Sequence, residues 1–235
     1  LILICTAVMV VGPTALAAGA VLALRSDLDS TFGDKARLMV HGTGWTAYLG
    51  TAAQVMSVTL LLALGFGYSW CFGREFVEGT VVNLFALPVR RGEIAAAKLV
   101  ALVAWSVLVS LAAYAVLSVC GLLVGGLGKM PAGWWLPLAV CLLTSANTLP
   151  LTWVATVRRG YLGSLGVLLG IVVLTQLLVA VGGGGWVPWA VPGLLAGLGG
   201  PEVVRPVQLV LPEVVGLVSV VGTVDSWRRL ELGNA

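Results

Sequence analysis

The charged side chains of this mostly apolar sequence concentrate in one stretch that lies between two long apolar runs. A helix over residues 73–89 would have an apolar face and an opposite polar face. The apolar face would consist of Phe76, Val77, Thr80, Val81 and Leu84, and the polar face of Arg74, Glu75, Glu78 and Gly79. Carboxylates on the polar face of such a helix suit ion pairing with a soluble partner at a membrane surface. The chemistry expected of this stretch is therefore recognition rather than catalysis.

The remaining sequence contains no recognisable catalytic centre. The single histidine, His41, lies in a polar loop, where an isolated imidazole is far more often solvated than bound to a metal. No Gly-x-Ser-x-Gly motif occurs, and Met130 follows Gly128-Lys129 where a phosphate-binding loop needs Ser or Thr. We therefore expect no catalytic residue, no metal site and no bound cofactor in this chain.

The charged stretch also resembles a family signature. The elements Glu78-Gly79-Thr80, Ala86-Leu87-Pro88-Val89 and Ala97-Lys98-Leu99 follow one another as in the type-2 export permeases of ATP-binding-cassette (ABC) transporters. The resemblance implies a coupling helix at about residues 73–89, which rests in a groove of a cytoplasmic ABC ATPase subunit that binds ATP and Mg²⁺. The residues that it assigns to ATPase coupling are Arg74, Glu75, Glu78, Gly79, Thr80, Pro88, Arg90 and Arg91. Arg90 and Arg91 would also suit lipid phosphate. Composition and periodicity alone leave an ordinary cytoplasmic loop with a surface helix open.

The composition indicates an integral membrane protein. Hydrophobic residues make up 59% of the 235 residues and charged residues only 10%, whereas a soluble domain carries about 25% charged residues. The net charge of +3 is small and spread along the chain, which argues against nucleic-acid binding.

The apolar runs predict an all-α protein with a single transmembrane domain of six membrane-spanning helices. The predicted spans are at about 1–24, 45–72, 93–124, 134–157, 162–181 and 207–224. The Gly- and Pro-rich residues 183–206 are too broken to span, so we predict an outer-leaflet re-entrant helical hairpin there.

The distribution of basic residues predicts the orientation. With both termini in the cytoplasm, eight basic residues lie inside and five outside, which agrees with the positive-inside rule. The charged stretch is then cytoplasmic, where an ATPase would be, and the protein is expected in a bacterial plasma membrane.

Polar side chains within the apolar runs are candidates for a substrate path. Gln54, Asn147 and Gln176 each need partners outside their own helix, and such partners are other helices about as often as substrate. Glu213 follows Pro212 inside the sixth run, and an acid at membrane depth suggests function by default. The alternative for Glu213 is a hydrogen-bonding partner for the re-entrant segment.

These observations favour the permease subunit of an ATP-driven exporter, and the resemblance implies a small amphiphilic cargo such as a drug, a peptide antibiotic or a lipid. The resemblance implies two permease chains, identical or related, with membrane lipid around them and two ATPase subunits. The alternative from another class is a non-transporting scaffold or sensor subunit. An ion-coupled carrier is less favoured, because no internal repeat is visible.

Overall fold

A computed structural model describes residues 2–25, 44–86, 88–124, 127–198 and 204–230. All regular secondary structure within these ranges is helical. The helices are α1 (Ile2–Arg25), α2 (Gly44–Val77), α3 (Val81–Phe85), α4 (Arg91–Val124), α5 (Leu136–Thr148), α6 (Pro150–Val157), α7 (Tyr161–Ala180), a 3-10 turn (Gly184–Trp186), α8 (Val191–Leu195) and α9 (Pro206–Arg228).

Five helical stretches in the described part of the chain are long and apolar enough to cross a membrane. They are α2, α4, α5 together with α6, α7 and α9. The first predicted span coincides with α1, whose described apolar stretch, Val10–Gly19, is shorter than a full crossing. Five of the six predicted spans are thus found close to their predicted bounds, and the sixth crossing stays a prediction. The polar loop with His41 lies outside the described residues.

Helix α2 is the centre of the bundle and packs against α1, α5, α6 and α7. Side chains with no exposed surface recur every four residues along it, and since each such step turns about 40° around the axis, they follow a path that winds around the helix. These side chains are Tyr48, Ala52, Met56, Leu60, Leu64, Tyr68 and Phe72. Near the end of the helix, Gly73 contacts the backbone of Tyr161 so closely that no Cβ atom would fit between them. The sequence of α2 therefore fixes both the core and the approach of α7.

The prediction of one helix over residues 73–89 is wrong. Helix α2 continues without interruption to Val77, and a turn at residues 78–80 separates it from the five-residue helix α3. Gly79 has a φ of +69°, a conformation that breaks a right-handed helix and that glycine adopts without strain. A second break occurs in the fourth predicted span, where Pro150 begins α6 directly after α5.

The segment between α7 and α9 contains the 3-10 turn and the short helix α8, with residues 199–203 outside the described part. Val191 and Leu194 of α8 are buried. The helical character expected of this segment is present, whereas its re-entry into the outer leaflet stays a prediction.

Candidate functional site

One end of the bundle is organised around Trp227, whose side chain is fully buried. The rings of Phe72, Phe76 and Phe85 surround it edge-on, with centroids 5.9, 6.0 and 6.1 Å from the indole. We call these four side chains the inner aromatic cluster. The cluster joins the end of α2, the short helix α3 and the last turn of α9.

The indole nitrogen of Trp227 extends these contacts to a fourth element. It donates a hydrogen bond of 3.1 Å to the hydroxyl of Thr156 in α6. A second hydroxyl pair joins the same two helices, because the Thr152 and Thr223 oxygens lie 3.0 Å apart. The position of α3 is therefore set by contacts that reach α2, α6 and α9.

A half-buried ion pair lies beside the inner aromatic cluster. The Lys98 Nζ atom is 2.7 Å from a carboxylate oxygen of Glu75, and both side chains are 17% exposed. That oxygen has no partner at hydrogen-bonding angles among the described residues, so the attraction between the two groups is chiefly electrostatic. Lys98 also donates to the Cys71 carbonyl at 3.0 Å and lies 4.8 and 5.2 Å from the ring centroids of Phe72 and Trp227. The pair fixes α4 against the end of α2.

This geometry corrects the predicted role of Glu75. We expected Glu75 on a water-facing surface beside Glu78, but it faces Lys98 within the bundle. Only Glu78 remains at the surface, 3.7 Å from Arg74 in an exposed pair one helical turn apart.

The predicted apolar face is correct in part. Val81 is buried, and Leu84 and Phe76 pack against the core, whereas Val77 and Thr80 are exposed. The exposed side of the α2–α3 connection is formed by residues 78–80, 82–83, 86 and 88–90. The connection is thus attached on one side to the inner aromatic cluster, and its exposed side mixes polar residues with Val82 and Val89, which are 54% and 47% exposed.

The two arginines after Pro88 differ in their surroundings. The Arg91 guanidinium lies 4.3 Å above the Phe85 ring and donates a hydrogen bond to the Leu230 carbonyl, so it is held against the bundle. Arg90 is exposed.

The four candidates for a substrate path do not come together at one site. Gln54 and Asn147 are buried, whereas Gln176 and Glu213 are exposed. Gln176 lines a cavity of about 40 Å³ between α2, α7 and α8, together with Ser57 and Thr175. No described residue makes an ion pair or hydrogen bond with the Glu213 side chain.

Asn147 attaches the segment between α7 and α9 to α5. Its amide nitrogen donates to the Pro188 carbonyl at 2.8 Å, and the Trp189 indole donates to the Asn147 backbone carbonyl at 2.8 Å. The side-chain oxygen of Asn147 is buried and has no partner among the described residues. The Asn147 amide was predicted either to contact substrate or to join helices. The hydrogen bonds of this residue favour the second role, because they join α5 to the segment that precedes α8.

Sequence reasoning missed two residues. Gln208 is buried and accepts a 2.8 Å hydrogen bond from the Arg205 backbone N–H, so its side chain caps the start of α9. The sequence carried a usable signal for this cap, since Gln208 lies three residues after Arg205 and Pro206 stands at the first helical position. Trp227 lies beyond residue 224, where the sixth predicted span ends, and its position among charged residues gave no sign of burial.

The fold and the composition define a helical integral membrane protein. Residues 1–176 match the family model described as ABC-2 family transporter protein. Since 176 of the 235 residues are matched, the chain belongs to this family, and it is a membrane permease of an ABC transporter. The comparison with curated proteins and the comparison with solved structures give no match. The match to the family model confirms the resemblance that we drew from the charged stretch.

Proposed function

We propose that this permease exports a small amphiphilic cargo and is driven by a separate cytoplasmic ABC ATPase. In this proposal the chain itself is not catalytic, two permease chains assemble around the path, and ATP and Mg²⁺ belong to the partner. The observation that carries the proposal is the α2–α3 connection, which exposes Glu78 and Thr80 on one side and attaches to Trp227 on the other through Phe76 and Phe85.

The contact surface for the ATPase would consist of the exposed side of this connection as far as Pro88. Arg74 and Glu78 supply opposite charges at its start, and Gly79 and Thr80 present an accessible turn. Pro88 ends the surface before α4 begins. Exposed charges of this kind contribute more to the specificity and orientation of binding than to its affinity.

Motion would pass from this surface into the bundle through the inner aromatic cluster. Because Trp227 contacts side chains of α2, α3 and α6, a push on α3 displaces those helices together. Rigid elements with two discrete arrangements are what an ATPase cycle requires to alternate access. The cargo class rests on analogy with the family, since Gln54, Asn147, Gln176 and Glu213 remain unassigned candidates.

The test replaces Glu78 by Arg and follows an ATP-binding protein that co-purifies with the chain and is identified by photolabelling with an azido-ATP. We expect loss of co-purification, or loss of transport-coupled ATPase activity in proteoliposomes, with an unchanged thermal unfolding midpoint. The matched control is Lys129→Glu, which reverses an exposed charge on the predicted outer side. Full binding and full transport in Glu78→Arg would overturn the coupling surface and favour the scaffold function instead.

A further inference from the structure

We propose that a depression beside the start of α4 binds the headgroup of an anionic phospholipid of the cytoplasmic leaflet. The depression has a volume of about 680 Å³ and lies between the first turn of α4 and the last turn of α9. The residues that line it include Arg90, Arg91, Glu93, Ala96, Val224 and Arg228.

Positive charge in the depression exceeds negative charge. Three arginines and one carboxylate, Glu93, line it among the described residues. The first turn of α4 adds the positive end of a helix dipole and the backbone N–H groups of Arg91 and Gly92, whereas the next two N–H groups donate to the Arg90 carbonyl. None of the described carboxylates forms an ion pair with Arg90 or Arg228. An anion placed there would therefore meet several unneutralised donors at once.

Arg228 approaches the start of α4 closely because Gly92 has no side chain there. A Cβ atom on Gly92 would lie 2.8 Å from the Arg228 Cγ and 2.9 Å from its Nε. Because Gly92 carries no Cβ, the stem of Arg228 can pass close to α4, and Arg228 lines the same depression as Arg90 and Arg91. A cation that packs on the positive end of a helix is unfavourable by itself, so this placement favours a bound anion.

The apolar surface next to the depression indicates a lipid rather than a soluble anion. Ala96 and Val224 form its apolar edge, and α4 and α9 pack against each other beyond it. On α4 the stripe continues with Val100 and Val103, which are 69% and 40% exposed. On α9 it continues with Val221 and Leu217, which are 68% and 67% exposed.

The spacing of these residues keeps each stripe on one helical face, since neighbours are three or four positions apart. Both stripes begin at the depression and lead towards the middle of the two spanning helices. A phospholipid could thus place its phosphate among the arginines and its acyl chains along both stripes. Basic pockets between spanning helices on the cytoplasmic side are a recognised form of anionic-lipid site.

The experiment measures phosphatidylglycerol binding to the detergent-purified full chain by native mass spectrometry, with phosphatidylethanolamine as the zwitterionic comparison. For the double variant Arg90→Gln/Arg228→Gln we expect binding about 25-fold weaker, because each arginine near an anionic headgroup contributes a factor of about five. The matched control is Arg158→Gln, which removes an exposed arginine that does not line the depression. We expect wild-type binding in the control and an unchanged thermal unfolding midpoint in all variants.

Gly92→Ala provides a test without any change of charge. The added methyl group would displace the flexible Arg228 stem, so we expect weaker phosphatidylglycerol binding at the same net charge. Equal weakening in Arg158→Gln would show that bulk charge alone attracts the lipid, and full binding in the double variant would show that these arginines do not hold it; either result would overturn the site. Wild-type binding in Gly92→Ala would overturn it too. Displacement of the lipid by millimolar inorganic phosphate would identify a soluble-anion site and would also overturn the lipid assignment.

Discussion

In the predicted orientation, the end of the bundle with the inner aromatic cluster is the inner end, and the end with α8 is the outer end. The two ends are held together by different kinds of contact. At the inner end, four aromatic rings and the Lys98–Glu75 pair join side chains from α2, α3, α4 and α9. At the outer end, the segment that contains α8 is attached by the two hydrogen bonds between Asn147 and residues 188–189 and by the buried side chains of α8. No described ion pair contributes to that outer attachment.

This difference suggests that the inner end transmits motion between helices, whereas the outer segment can change its position. Rings and charges that pack from several helices are costly to separate, so we expect the inner end to move as one unit. A hydrogen bond contributes only about 1 kcal/mol net, so the outer segment can shift at a smaller cost. The proposed cycle needs both properties, a firm contact near the ATPase and an adjustable closure at the far side.

The largest expected effect is that of Trp227→Ala. Removing the centre of the inner aromatic cluster should lower the free energy of unfolding by about 3–5 kcal/mol, because the cavity adds to the lost burial. The control is Trp134→Ala, whose side chain is 48% exposed and should cost far less. Chemical unfolding in detergent micelles measures both. Equal losses would show that the inner end is not the stronger attachment.

The next effect is that of Lys98→Met, which leaves the Glu75 carboxylate half-buried and unpaired. We expect a loss of about 2–3 kcal/mol, less than for a fully buried pair because solvent still reaches both groups. The double variant Lys98→Met/Glu75→Gln should regain most of that loss, since it leaves no lone charge. If the double variant is as unstable as the single one, packing of the lysine stem matters rather than the ion pair.

The sequence predicted the long helices well because their signal is strong and local. An apolar run of twenty or more residues allows few structures in a membrane, so the bounds of α4 and α7 were found within two residues. The break at residues 78–80 was missed, since Gly79 inside a helical pattern is tolerated as often as it breaks a helix. The partners of Glu75 and Trp227 lie on other helices, and no spacing within one helix reveals contacts between helices.

A smaller effect is expected at the outer end. Asn147→Leu removes the donor to Pro188 and should lower the free energy of unfolding by about 1–2 kcal/mol. Gln176→Leu is the matched control, because that amide is exposed and surface substitutions usually stay within about 0.5 kcal/mol. A loss at Asn147 above that of Lys98→Met would reverse the order of the two ends.

The smallest effect on stability is expected for Glu213→Gln. The side chain is exposed on α9, and none of the described residues pairs with it, so the free energy of unfolding should change by no more than about 0.5 kcal/mol. An acid at membrane depth that does not hold the fold together remains available for a cationic cargo. Transport or cargo-stimulated ATPase activity should therefore fall in Glu213→Gln and persist in Glu213→Asp, which keeps the charge. Unchanged transport in the Gln variant would remove Glu213 from the path. A stability loss above 1 kcal/mol, an amount beyond ordinary surface substitutions, would instead mean that the outer end has an ionic attachment after all.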